Sequence, residues 1–151
     1  MHKNIDNLED TKLLATRLAS NCRGGELIEL VSDVGGGKTT FTSFFVAALG
    51  STDKVSSPTF TVCKQYIAKK FTVFHYDFYR LNDPQYVVEA MQESLEDPLA
   101  ISVVEWGGLV KDALSYIRLC ITINKHPTDE YKRTVTLEYP KDLMYLTKGL
   151  E

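Results

Sequence analysis

A chain of 151 residues, 44% hydrophobic and 25% charged, can bury one core, and we expect a single domain over residues 1–151. A formal net charge of −3 argues against a protein that grips nucleic acid unaided, which would carry a basic excess. No apolar run approaches a membrane span and no signal pattern precedes the first helix, so the expectation is a cytoplasmic protein with no membrane partner.

Met1 to Asn7 reads as a short extended lead with Ile5 turned inward. Leu8–Cys22 has helical spacing, with Leu13, Leu14, Leu18 and Cys22 on one face, Asn7 or Asp10 as its cap and Gly24-Gly25 as its end. An apolar strand, Glu26–Val31, leads into Ser32-Asp33-Val34-Gly35-Gly36-Gly37-Lys38-Thr39-Thr40, and a helix over Lys38–Leu49 leads out, closed by Gly50.

Strand, glycine loop, Gly-Lys-Thr and helix form the layout of a phosphate-binding P-loop. Gly35, Gly36 and Gly37 let successive backbone N–H groups face one anion, and the N-terminus of the helix that starts at the loop adds its dipole. Lys38 would reach the outer phosphates, and the Thr39 hydroxyl would hold Mg²⁺. One position departs from G-x-x-x-x-G-K-[ST]: Ser32 stands where the first glycine belongs.

Pro58 makes Val55–Thr61 a loop that runs into a strand over Phe60–Tyr66. Ala68-Lys69-Lys70 reads as a hairpin turn before a strong strand, Phe71–Phe78. A helix from Pro84 to about Gln92 follows, then a strand, Ala100–Val104, that ends on Glu105-Trp106. Gly107-Gly108 breaks the chain, Ile117–Asn124 and Arg133–Tyr139 pair as a late hairpin, and Lys141–Lys148 is a short C-terminal helix. The fold expected is α/β: a P-loop NTPase domain whose mixed sheet has a parallel core and antiparallel additions, flanked by helices. Cys22, Cys63 and Cys120 fit no metal spacing or disulfide framework and read as core thiols.

A P-loop needs a carboxylate to complete its Mg²⁺ site, and Glu105 ends an apolar strand of the right kind. Asp77 ends the other one, either to contact metal-bound water, to orient the attacking water or to cap a turn. His75 alternates with Asp77 onto the same side and reads better as a packed or hydrogen-bonded histidine. Thr59 either reaches the γ-phosphate as switch loops do or is a plain loop residue. Trp106, the only tryptophan, belongs either to the core or to the nucleotide's surroundings.

Three further stretches join the glycine loop: Ser57-Pro58-Thr59-Phe60-Thr61, His75-Tyr76-Asp77-Phe78-Tyr79-Arg80-Leu81, and Val103-Val104-Glu105-Trp106. In this order, together with Ala48-Leu49-Gly50, they resemble the TsaE (YjeE) family, small bacterial P-loop ATPases needed to make threonylcarbamoyladenosine in tRNA. The resemblance covers nearly the whole chain. It departs at Ser32 and at an expected glycine near Met91. It implies that Gly35 to Thr40 wrap the phosphates of ATP and that Thr39 and Glu105 hold Mg²⁺. Thr59 would sit in a first switch-like loop and Asp77 in a second, with Lys38 on the phosphates and Thr11 and Arg133 near the nucleotide. The partners implied are TsaD-like and TsaB-like subunits, with tRNA reached through their complex. Two other functions share the loop: a small-molecule kinase and a non-hydrolysing nucleotide-dependent binding module. Against a kinase, arginines after the loop are sparse (Arg80, Arg118 and Arg133), where a lid would be rich in them.

Overall fold

The structure, a computed structural model, describes residues 1–58, 61–79, 83–106 and 117–151. Its strands are β1 (His2–Ile5), β2 (Leu27–Val31), β3 (Cys63–Ile67), β4 (Thr72–Asp77), β5 (Ala100–Glu105), β6 (Leu119–Lys125) and β7 (Arg133–Glu138). The helices are α1 (Leu8–Asn21), α2 (Lys38–Ala48) and α3 (Pro84–Glu96), and a 3-10 helix spans Lys141–Thr147. The strands join in one sheet in the order β1-β7-β6-β2-β5-β4-β3. Strands β6, β2, β5 and β4 run parallel, while β1/β7, β6/β7 and β3/β4 are antiparallel. This is the expected mixed sheet, with its parallel core inside and its antiparallel additions at both edges.

Side-chain alternation sorts the two faces of the sheet. Ile28, Leu30, Val73, Ile101, Val103, Leu119 and Ile121 pack with Leu14 and Leu18 of α1 and Phe41, Phe45 and Val46 of α2. Leu27, Phe74, Tyr76, Ala100 and Val104 pack on the other face with Val87 and Met91 of α3. His75, Asp77 and Glu105 share parity with Val73 and Val103, so strand geometry turns them toward the face that carries α2. Met91 is fully buried in the second cluster, where its flexible side chain fills the gap between α3 and the sheet.

Several expected boundaries shift. Asn7 caps α1, its side chain accepting from Asp10 N at 3.1 Å. Leu13 does not lie on the buried face of α1: it is 60% exposed, and the inward stripe is Leu14, Ala15, Leu18 and Ala19. Two small alanines complete that stripe and let α1 approach α2 closely, and a count of large apolar residues overlooks them. Strand β3 starts at Cys63, later than expected, and Phe60 lies outside the described residues. Helix α3 runs on to Glu96, because Ser94 is buried in it and holds Tyr76 Oη at 2.8 Å. The C-terminal turn is a 3-10 helix tied back by Tyr145, whose hydroxyl donates to Glu26 at 2.8 Å.

The three cysteines are free and half-buried. Burial pushes the Cys63 thiol up to about 11 and raises those of Cys22 and Cys120, so all three stay protonated at neutral pH. No helix among the described residues is long and apolar enough to cross a membrane.

Candidate functional site

The parallel strands β2, β5 and β4 all end at one rim of the sheet, the side where open α/β sheets leave room for ligands. β2 ends at Val31 and opens into the loop at residues 32–37. Gly35 (φ 72°) and Gly37 (φ 106°) take left-handed conformations that a side chain would oppose. Gly36 N donates to Asp33 O at 3.0 Å, which folds the loop back on itself, and Phe41 N donates to Gly37 O at 2.9 Å to begin α2. The Ser32 side chain covers Gly36 so closely that a Cβ there would lie 2.3 Å from Ser32 Oγ.

The loop is the wall between two cavities. One, of about 530 Å³, is lined by the loop, Lys38, Thr39, Thr40, Ser57, Asp77, Tyr79, Glu105 and Trp106. The other, of about 770 Å³, lies on the far side of Gly35–Gly37 and is bounded by Asn7, Leu8, Thr11, Phe41, Tyr131 and Arg133, among others. Thr40 lines both. Both cavities have mixed walls: the first sets Lys38, Thr39, Asp77 and Glu105 beside Val34 and Trp106, and the second sets Leu8, Leu14, Phe41, Ile123 and Val135 beside Asn7, Thr11, Glu130 and Arg133. Arg133 borders it and donates from Nε to Gly36 O at 3.4 Å.

Lys38 is 7% exposed. Its ammonium reaches Ser32 O at 3.0 Å and lies 4.4 Å over the Trp106 ring. None of the ion pairs among the described residues involves Lys38. A nearly buried cation with no counter-ion favours an anion in the space it faces. Trp106 has φ 59°, left-handed for a non-glycine residue, and packs on Tyr79 with ring centroids 5.0 Å apart. It therefore belongs to the rim of the site, not to the core.

Glu105 and Asp77 are neighbours across β4 and β5, paired in register. Glu105 is buried, and His75 Nε2 donates to its Oε1 at 2.9 Å. Among the described residues this is the one hydrogen bond of its side chain, which leaves the second carboxylate oxygen available to the cavity. Asp77 accepts from Ser57 Oγ at 3.1 Å and from Tyr79 N at 3.1 Å, so it caps the turn after β4 and lines the cavity at once. His75 is wholly buried. Its Nδ1 lies 3.4 Å from Tyr66 Oη, and Tyr66 donates to Ser56 O at 3.0 Å. A buried chain of contacts thus runs from Glu105 to the loop that carries Ser57.

The structure brings Gly35, Gly36, Gly37, Lys38, Thr39, Thr40, Asp77, Glu105 and Trp106 around one cavity, with Thr11 and Arg133 around the other. Thr59 and Arg80 lie outside the described residues. Sequence reasoning did not single out Ser57, Tyr66, Tyr79 or Tyr131. Ser57 was within reach, since it starts the Ser-Pro-Thr stretch; Tyr131 was not, because it joins α1 residues around the larger cavity from far away in sequence. The exposed Thr39 hydroxyl and the free Glu105 oxygen suit a hard cation that keeps most of its waters and takes phosphate oxygens as further ligands.

Comparison with known proteins shows the family and the fold. A family model described as "Threonylcarbamoyl adenosine biosynthesis protein TsaE" matches residues 5–135. A Bacillus subtilis protein named tRNA threonylcarbamoyladenosine biosynthesis protein TsaE is 36% identical over 133 residues, 86% of this chain and 81% of its own length. A Rickettsia felis protein of the same name is 33% identical, with 88% and 77% covered. The crystal structure of Bacillus subtilus YdiB superposes with a TM-score of 0.81 at 28% identity, covering 99% of this chain and 93% of that one.

Proposed function

The chain belongs to the TsaE family of threonylcarbamoyl adenosine biosynthesis proteins, and from that premise we propose that it is a Mg-ATP-binding ATPase supporting tRNA threonylcarbamoyladenosine modification through a TsaD/TsaB-like complex. One observation carries the nucleotide part. Lys38 is buried and lacks a carboxylate partner among the described residues, and it faces the smaller cavity, while a larger cavity lies on the far side of the glycine loop. A triphosphate in the first and a nucleoside in the second would meet at Gly35–Gly37, where no side chain stands between them.

In this reading each residue has a task that its position supports. Backbone N–H groups of Gly35 to Thr40 hold the phosphates, that of Gly36 once it leaves Asp33 O, and Lys38 takes the outer ones. Thr11 and Arg133 border the nucleoside. Thr39 and Glu105 would hold Mg²⁺, which when bound neutralises charge on the β- and γ-phosphate oxygens. His75 keeps Glu105 turned toward the cavity. Asp77, held by Ser57 and Tyr79, orients the attacking water; Thr59, outside the described residues, has only the switch-like role that the family resemblance implies.

Lys38 is the one cation lining the smaller cavity among the described residues. In P-loop enzymes a missing arginine near the transferred phosphate costs roughly 10³–10⁵ in rate, and a partner can supply it. The lone protein is therefore proposed to bind ATP and hydrolyse it slowly, with the complex accelerating it. The net charge of −3 supports the view that tRNA is held by the partners.

The test is thermal melting with and without Mg-ATP. Nucleotide near a hundred times its Kd is expected to stabilise the protein by about 2.7 kcal/mol, and Lys38→Ala to remove most of that gain. A folded Lys38→Ala protein with an unchanged shift would overturn the assignment.

A further inference from the structure

Ser32 stands where the loop motif has its first glycine, and its side chain changes what Lys38 can do. The Lys38 ammonium has three N–H donors. They reach Ser32 O at 3.0 Å, Ser32 Oγ at 3.0 Å and Asp33 O at 3.4 Å. Ser32 Oγ gives its own proton to Asp33 O at 3.0 Å, so its lone pairs are what face the ammonium. Any residue at position 32 would offer the two carbonyls; only the hydroxyl is particular to serine. With glycine there, one donor of Lys38 would remain open to the cavity. With serine, all three are taken by the first two residues of the loop. The wedged seat of Ser32 against Gly36, where an added Cβ would lie 2.3 Å from Oγ, keeps the hydroxyl in place.

We infer that Ser32 sets nucleotide affinity: its hydroxyl clasps the Lys38 ammonium in the ligand-free loop and must be displaced before Lys38 can meet an outer phosphate. The inference rests on the nucleotide reading above and deepens it. The competitor of Ser32 is the β- or γ-phosphate, the part of a nucleotide that a P-loop lysine reaches. Nucleoside triphosphates therefore feel the clasp, and a monophosphate, which ends short of Lys38, does not.

The experiment is calorimetric titration of Mg-ATP and of AMP into the parent and Ser32→Ala proteins at one salt concentration. Alanine keeps the Cβ that seats the loop and removes only the hydroxyl. Ser32→Ala is expected to bind Mg-ATP about tenfold more tightly, about 1.4 kcal/mol, and to leave AMP within about twofold. Ser32→Gly, which restores the motif, carries the same expectation and replaces it if Ser32→Ala melts early. Equal or weaker Mg-ATP binding by a folded variant overturns the clasp and makes the hydroxyl a contact to the ligand or to the loop. Tightening of AMP by the same factor overturns it as well, since the effect would then not pass through the outer phosphates. If neither parent nor variants bind Mg-ATP, the nucleotide reading falls and the clasp with it.

Discussion

Asp77→Asn is expected to leave Mg-ATP binding nearly intact and to lower partner-stimulated hydrolysis by a factor on the order of 10²–10⁴, the usual worth of a positioned general base. The substitution is close to isosteric. The retained side-chain carbonyl can still accept from Tyr79 N, and the new amide can still meet the Ser57 hydroxyl, since a hydroxyl both donates and accepts. The turn after β4 should therefore hold, and only the negative charge at the cavity is lost. The measurement is ATPase rate against concentration of a TsaD/TsaB-like complex, with and without tRNA, for parent and variant. A fully stimulated Asn variant would reduce Asp77 to a turn cap. A parent that turns over as fast alone as in the full mixture would instead rule out activation by a partner.

Phe45→Ala is the substitution expected to cost most in stability, about 3–5 kcal/mol. Phe45 is wholly buried and stacks on Phe41 with ring centroids 6.0 Å apart and planes at 16°. The two rings fix α2 against α1 and the sheet, and α2 begins at the loop lysine. Phe41 also lines the larger cavity, whereas Phe45 touches neither cavity. The loss should appear as a fall in melting temperature on the order of 10 °C, by the usual scaling for a domain of this size. Well below the melting point, Mg-ATP affinity should be preserved, because the ligand does not contact Phe45. A drop of less than about 1 kcal/mol would mean that the gap closes by repacking and that the stack is not what holds α2.

Much of this architecture is legible in the residues because local rules decide it. The apolar run before the loop, the Gly-Lys-Thr step and the apolar spacing of α2 leave little choice of conformation. The parity of His75, Asp77 and Glu105 follows from the two-residue repeat of a strand, once β4 and β5 are recognised as neighbours. What escapes local rules is long-range. That β1 pairs with β7 depends on a register about 130 residues apart, with Leu137 N donating to Met1 O at 2.8 Å. The larger cavity depends on that closure, because β7 brings Arg133 and Val135 beside α1. Leu13 misleads for another reason: leucine has high helix propensity on either face, and the two alanines that choose the buried face carry little hydrophobic signal. Ser32 is visible in the sequence as a departure, but its effect is not, because it lies in a hydrogen bond to a side chain six residues on.

The single tryptophan has a further consequence. Lys38 Nζ rests 4.4 Å above the Trp106 ring, and Tyr79 packs on the same indole with ring centroids 5.0 Å apart. An ammonium on the face of an indole perturbs its excited state, and withdrawing that charge toward a phosphate removes the perturbation. All indole emission from this chain originates at that one spot, with no second fluorophore of its kind to dilute the signal. The unlabelled protein thus carries its own optical gauge of where the lysine sits, and rapid mixing could time its departure from the ring apart from any later cleavage of the nucleotide.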